Sequence, residues 1–326
     1  MSRWYPVYGI WVGLIVSTLF FPFLEDGFVS WVLLLLFWVL TPMSLSLGQV
    51  SSRWGEEPVI YRWMWYAHPF IATAGTLSIY MSPGTAAGTL AVLWLLFTVG
   101  LALFGLYRWR RQDWSLLGEW ALDAGWIYTV IGGVWLVYHR FGMEFIPYDD
   151  YTMLLTAIHY HYTTLIVLIN VAMVHRVWRG DFPYPKLMNG FSLALIAGPP
   201  LVASGIAIRG VWELVSVAIY SFMLFVLALM VAACAFRFVA EKTARLLLYV
   251  SGVSITFTSL FTTIYAMSNA FSLQWLTVSH MVQYHGITNT FGFALASFVG
   301  WRLAKGTRGI AINRTEKEVN ARGRKN

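Results

Sequence analysis

The chain has 326 residues, of which 58% are hydrophobic, 17% aromatic and 11% charged, and its mean hydropathy is +0.64. An ordinary soluble domain is about 45–50% apolar and about 25% charged, so this composition excludes a soluble enzyme, a nucleic-acid binder and a disordered protein, while the single cysteine, Cys234, excludes a disulfide scaffold. The net charge is +7, from 22 basic and 15 acidic residues, and its placement along the chain carries more information than its size.

A bilayer core needs about 20 apolar residues per crossing helix. Such runs predict an all-α polytopic bundle of about ten transmembrane helices. The first is Pro6–Leu24 and the second Phe28–Gly48. The third, Met64–Met81, begins around His68-Pro69 and ends at the turn signal Ser82-Pro83-Gly84. Thr85–Tyr107 is the fourth, and Leu116–His139, carrying Glu119 and Asp123, the fifth. The sixth runs from Tyr151 to His175, and the seventh, Leu187–Ile208, is interrupted by Pro199-Pro200. Val211–Val239, Leu246–Met267 and Val278–Ala304 complete the series.

The charges fix an orientation. Cytoplasmic loops are enriched in Lys and Arg. Counted from an inner N-terminus, the even-numbered loops carry Arg53 and Arg62; Arg108, Arg110 and Arg111; Arg176, Arg179 and Lys186; and Arg237, Lys242 and Arg245. The opposite loops carry Glu25, Asp26, Glu144, Asp149 and Asp150. Both termini are therefore expected in the cytoplasm, as one transmembrane domain over residues 1–304. A basic, disordered tail follows over residues 305–326. It holds seven basic and two acidic residues, so most of the surplus is placed to lie on anionic lipid. No cleavable leader is expected, because the first apolar run lacks a small-residue cleavage site.

Ionisable groups at membrane depth are costly and default to a functional reading. In the sixth span, His159 and His161 lie about 12–15 Å from its outer end at 1.5 Å per residue. Thr152, Thr156, His159, Thr163 and Asn170 form one polar stripe beside Tyr162. On an ideal helix His161 points about 200° away from His159, so both reach one site only through a helix distortion. In the tenth span His285, Asn289 and Gly292 share a face, with His280 nearer the outer end. In the fifth, Glu119 and Asp123 are four apart on one face; two buried carboxylates repel, and an ion or a histidinium would relieve that cost. Ser251, Ser254, Thr258 and Thr262 in the ninth span read as helix-packing hydrogen bonders. His68, His139 and His175 read as interfacial, and Cys234 as a packed residue.

No Walker loop, dinucleotide fingerprint, His-Glu-x-x-His or Gly-x-Ser-x-Gly occurs. The segments Leu154-Leu-Thr-Ala-Ile-His159-Tyr-His161-Tyr162 and His285-Gly-Ile-Thr-Asn289-Thr-Phe-Gly292-Phe293 resemble the YndJ-like integral membrane family. Its corresponding patterns are Leu-Thr-Ala-x-His-Phe-His-Tyr and His-Gly-x-x-Asn-Ala-x-Gly-Phe. Here Tyr160 stands for Phe and Thr290 for Ala. Glu119 and Gly132-Gly133-Val134-Trp135 are similar as well. The resemblance implies a multi-pass protein of a bacterial or archaeal cytoplasmic membrane, in a family sometimes labelled as transporters, and supplies no reaction.

Three readings of the buried residues remain open. In the first, His159, His285, His161 and His280 bind a transition metal (Zn, Fe or Cu), with Asp123 and Glu119 as further ligand or general base. The metal would act on a lipid-soluble substrate, with Thr163, Asn170, Asn289 and Tyr162 in support. In the second, Glu119 and Asp123 open an ion or proton route through the midplane histidines, as in a transporter. In the third, two histidines hold a haem axially. Membrane lipids are the expected partners, nucleic acid is not, and the sequence fixes neither the oligomeric state nor whether the protein is an enzyme.

Overall fold

The computed structural model describes residues 27–48, 58–110, 117–144, 149–178 and 183–306, with isolated helical positions at 11, 15 and 18. Among the described residues all regular structure is helical. Nine helices follow one another among the described residues: α1 Phe28–Gly48, α2 Val59–Tyr80, α3 Thr85–Trp109, α4 Leu117–Phe141, α5 Asp150–Trp178, α6 Pro185–Ile208, α7 Gly210–Phe238, α8 Lys242–Ala270 and α9 over residues 278–306. Seven of them, all but α2 and α9, are long and apolar enough to cross a membrane by length and composition. The expected first span, Pro6–Leu24, falls almost wholly outside the described residues, as does the basic tail beyond Gly306.

The chain divides into two compact units, residues 1–169 and 170–326. In the first, α1 is the central helix and is buried nearly throughout, from Leu33 to Leu40 with no more than 8% exposure at any residue. A helix apolar on every side suits only such a position. Pro42 has no N–H to return to the turn before it, and the helix widens to a π turn over Leu36–Leu40. Two carbonyls of α1 are then taken by side chains from α2. His68 Nε2–H donates to the Phe37 carbonyl at 2.7 Å, and the Tyr61 hydroxyl to the Leu45 carbonyl at 3.0 Å. His68 was expected at the membrane interface; it is instead buried, because Pro69 does not end α2 and the helix carries the imidazole against α1.

The hairpin α3–α4 packs closely through glycines. A Cβ at Gly105 would lie 2.9 Å from the Asp123 carbonyl, and one at Gly133 would lie 2.8 Å from Thr98 Oγ1. This register sets the C-terminal end of α3 beside the first two turns of α4.

In the second unit α6, α7, α8 and α9 pack in sequence-adjacent pairs, and Pro199 and Pro200 sit inside α6 without ending it. His175 is half-buried against Ser192 Oγ at 2.6 Å, and in the first unit His139 is 3% exposed; both lie in the last turns of their helices. Cys234 is buried, as its place in an apolar run implied.

Asp149 starts α5 by accepting the Thr152 N–H at 2.7 Å, which holds its carboxyl below the usual carboxylate range. A depressed carboxyl pKa stabilises the helix above the ordinary range and ceases to as pH falls through the lowered value. Asp149→Ala is therefore expected to speed amide exchange in the first turn of α5 by about fivefold at neutral pH, with the difference vanishing in acid, as read by hydrogen exchange.

Candidate functional site

The charged site of the first unit is built on Arg108. It lies in the last turn of α3, and its side chain is completely buried. The hairpin register points it across to α4, where Nε donates to Asp123 Oδ1 at 2.6 Å and Nη2 to Glu119 Oε2 at 2.7 Å. Nη1 donates to the carbonyl of Gly48, the last residue of α1, at 2.9 Å. The rings of Trp126 and Phe104 lie 5.3 and 5.8 Å from the guanidinium carbon. Each edge of the planar fork thus has an acceptor, and its third partner is a helix C-terminus with its partial negative charge. The structure brings Glu119 and Asp123 together on one face of α4, and among the described residues a guanidinium lies between them. It belongs to an arginine that the loop charges had assigned to the cytoplasmic surface. Among the described residues the two carboxylates share one guanidinium. Asp123 is fully buried, whereas the Glu119 side chain is 21% exposed.

His159 and His161 diverge. A π turn over Tyr160–Thr164 follows His159. His159 is exposed, with Nδ1–H on the Leu155 carbonyl at 2.7 Å. His161 is buried against Gly132, where a Cβ would lie 2.4 Å from its ring nitrogen. Its Nδ1–H donates to the Ala157 carbonyl at 2.8 Å, and its Nε2 accepts the Trp94 indole N–H at 3.1 Å. Both ring nitrogens are therefore spent on protein groups. Gly132 is nine residues from Asp123 on α4, about 13 Å along the axis, so His161 and the carboxylates occupy separate levels. Tyr162 donates to the Val32 carbonyl at 2.8 Å, fastening α5 to α1, and Thr163 is half-buried.

The second unit holds a different polar site. On α9, two π-helical stretches over Met281–Gly286 and Thr288–Leu295 carry His285 and Asn289. They face Thr262 and Thr258 of the antiparallel α8, and the hydrogen bonds define one direction. Thr258 Oγ1 donates to Asn289 Oδ1 at 2.8 Å. Asn289 Nδ2 lies 3.0 Å from His285 Nε2, and His285 Nδ1 lies 2.9 Å from Thr262 Oγ1. Thr262 Oγ1 also lies within donating distance of the Thr258 carbonyl at 2.8 Å. This pattern fits a neutral imidazole with its proton on Nδ1. Gly292 admits this approach, since a Cβ there would lie 2.2 Å from Ser254 Oγ. His280 is committed elsewhere: it closes a capping box with Thr277 at the start of α9. Asn170 joins the ends of α5 and α9, donating to Ser297 Oγ at 3.2 Å and accepting the Trp301 indole N–H at 2.8 Å.

Among the described residues no three of His, Cys, Asp and Glu group closely enough to share a metal ion. Sequence reasoning missed Arg108, His68 and Trp94, and read Thr258 and Thr262 as packing groups. The signal for the threonines was available: Thr258/Thr262 and Asn289/His285 are both four apart, as facing partners on antiparallel helices must be.

The model of the YndJ-like protein family matches residues 31–293. The chain is similar to the uncharacterized membrane protein YndJ of Bacillus subtilis (strain 168), with 27% identity over 219 residues, which is 67% of this chain and 39% of that relative. It thus spans about two fifths of the relative's length. No solved structure matches.

In 15N-histidine spectra of the membrane-reconstituted protein, with His285 assigned by the His285→Asn difference, its Nδ1 is expected to be protonated and its Nε2 not at neutral pH. Asn289→Leu should abolish this selection, whereas Thr256→Val, on another face of α8, should preserve it.

Proposed function

The chain belongs to the YndJ-like protein family, and from that starting point we propose that this multi-pass helical membrane protein moves protons or small cations across a bacterial or archaeal cytoplasmic membrane. The observation that carries the reading is the buried Arg108–Asp123–Glu119 cluster, in which two carboxylates share one guanidinium. Ionisable groups at membrane depth are expensive and mark proton and ion routes. Glu119 is the acceptor, because it alone of the three reaches the surface. Asp123 holds Arg108 in place, and the guanidinium beside Glu119 sets its affinity. In the orientation argued by the arginine-rich loops, the cluster lies at the cytoplasmic end of α3 and α4, and Glu119 is the inner entry. Both termini are then cytoplasmic.

The neutral His285 circuit supports the same chemistry. An imidazole enclosed by reorientable hydroxyl and carboxamide groups can take a proton and release it without rearranging helices. A metal-centred or haem-centred reading has weaker support, since His161 and His285 use both ring nitrogens within the protein.

The test is pH-gradient dissipation in liposomes. Wild-type protein should carry flux. Glu119→Gln preserves the hydrogen bond to Arg108 but cannot take up a proton, and should lower the flux at least about tenfold with little change in thermal stability. Flux in Glu119→Gln equal to wild type, or none from the wild-type protein, contradicts the proposal.

A further inference from the structure

The corner between α7 and α8 presents a cation that no carboxylate pairs with among the described residues. Arg237, in the last turn of α7, is exposed, and among the described residues no carboxylate pairs with it. Its guanidinium carbon lies 5.9 Å from the Trp178 ring and 5.3 Å from the Phe238 ring. These two rings meet edge to face at 5.7 Å and form an aromatic shelf under the guanidinium.

The nearest acid in the sequence, Glu241, is committed. Its carboxylate accepts the Thr243 and Ala244 N–H groups at the start of α8, which holds its carboxyl below the usual range. Arg245 is committed too, donating through Nε and Nη2 to the Val239 carbonyl and fixing the turn. Exposed Lys242 adds a second cation without a carboxylate partner among the described residues.

A third feature is independent of the charge. Phe225, Leu229 and Phe236, four and seven residues apart, are exposed along α7, so an apolar stripe runs along the C-terminal half of a helix apolar enough to span a membrane and ends at Arg237. A guanidinium on an aromatic shelf, at the end of an apolar track, is complementary to one class of molecule: an anionic headgroup that carries its own acyl chains.

From these features we infer that the α7–α8 corner binds an anionic phospholipid. The phosphodiester sits on Arg237 with Lys242 beside it, the glycerol rests against Trp178 and Phe238, and an acyl chain follows the stripe toward Phe225. A lone phosphate would use the cations and leave the shelf and the stripe without a role. The assignment does not depend on the transport reading, because it shares no residue with either polar site.

Native mass spectrometry of the detergent-purified full chain tests this with phosphatidylglycerol, phosphatidylcholine and inorganic phosphate. Phosphatidylglycerol should be retained in preference to phosphatidylcholine, and inorganic phosphate should not displace it. Arg237→Gln should weaken its retention by about tenfold, the effect of losing one charge-assisted hydrogen bond, while Arg209→Gln at the other end of α7 leaves it unchanged. Lys242→Gln should weaken it to a lesser degree, and serves as the reporter if Arg237→Gln does not fold. Equal retention of the two lipids, displacement by inorganic phosphate, or full retention in the cation variants would each overturn the assignment.

Discussion

The guanidinium of Arg108 is the interaction on which the first unit depends. It is the largest charged side chain buried without solvent contact, and it reaches three separate pieces of chain: the end of α1 at Gly48, and Glu119 and Asp123 one turn apart on α4. Moving one charge out of water is unfavourable, and partial compensation does not suffice. The helix ends therefore must come together in one arrangement, or the arginine and both acids are left unpaired. Gly105 follows from this constraint, since a larger residue there would push α4 away through the Asp123 carbonyl. Trp126, stacked under the guanidinium and against Gly48, fills the remaining space.

The same rule organises the polar groups deeper in the helices. In a membrane no water is at hand to satisfy a stray donor or acceptor, so each imidazole finds a protein partner. His68 uses a carbonyl of the widened α1, His161 a carbonyl of its own helix and an indole, and His285 a hydroxyl and a carboxamide. Each of these sites involves a π turn, at residues 36–40, 160–164 and 281–295. Such turns shift the angular placement of every residue beyond them and free backbone groups for side chains, which is why they gather where function does.

The sequence made the polar residues themselves legible. Glu119 and Asp123 share a face because they are four apart, and so do His285 and Asn289; the structure keeps both pairs. The divergence of His159 and His161 also followed from helical angles alone. Their partners were not legible, because a partner on another helix depends on register and a single helix's periodicity carries none. Arg108 was read as an orientation signal, since a basic residue at the end of an apolar run looks the same whether it faces water or two acids. His68 was placed at the interface because Pro69 follows it, although a proline inside a membrane helix is tolerated when neighbours satisfy the freed carbonyl. The helical class was set by composition, while α2 and α9 are helices whose polar content leaves them outside the seven strongly apolar spans.

The central claim is that Arg108 and its acids are mutually obligatory. A double-mutant cycle on unfolding free energy in detergent tests it directly. Arg108→Met alone takes the guanidinium away from two carboxylates and should cost about 3–5 kcal/mol. Arg108→Met combined with Asp123→Leu removes the fully buried charges together, leaves Glu119 its access to solvent, and should cost clearly less than the single substitution. A protein that tolerates Arg108→Met with Asp123 intact, or two substitutions whose costs simply add, would contradict the account.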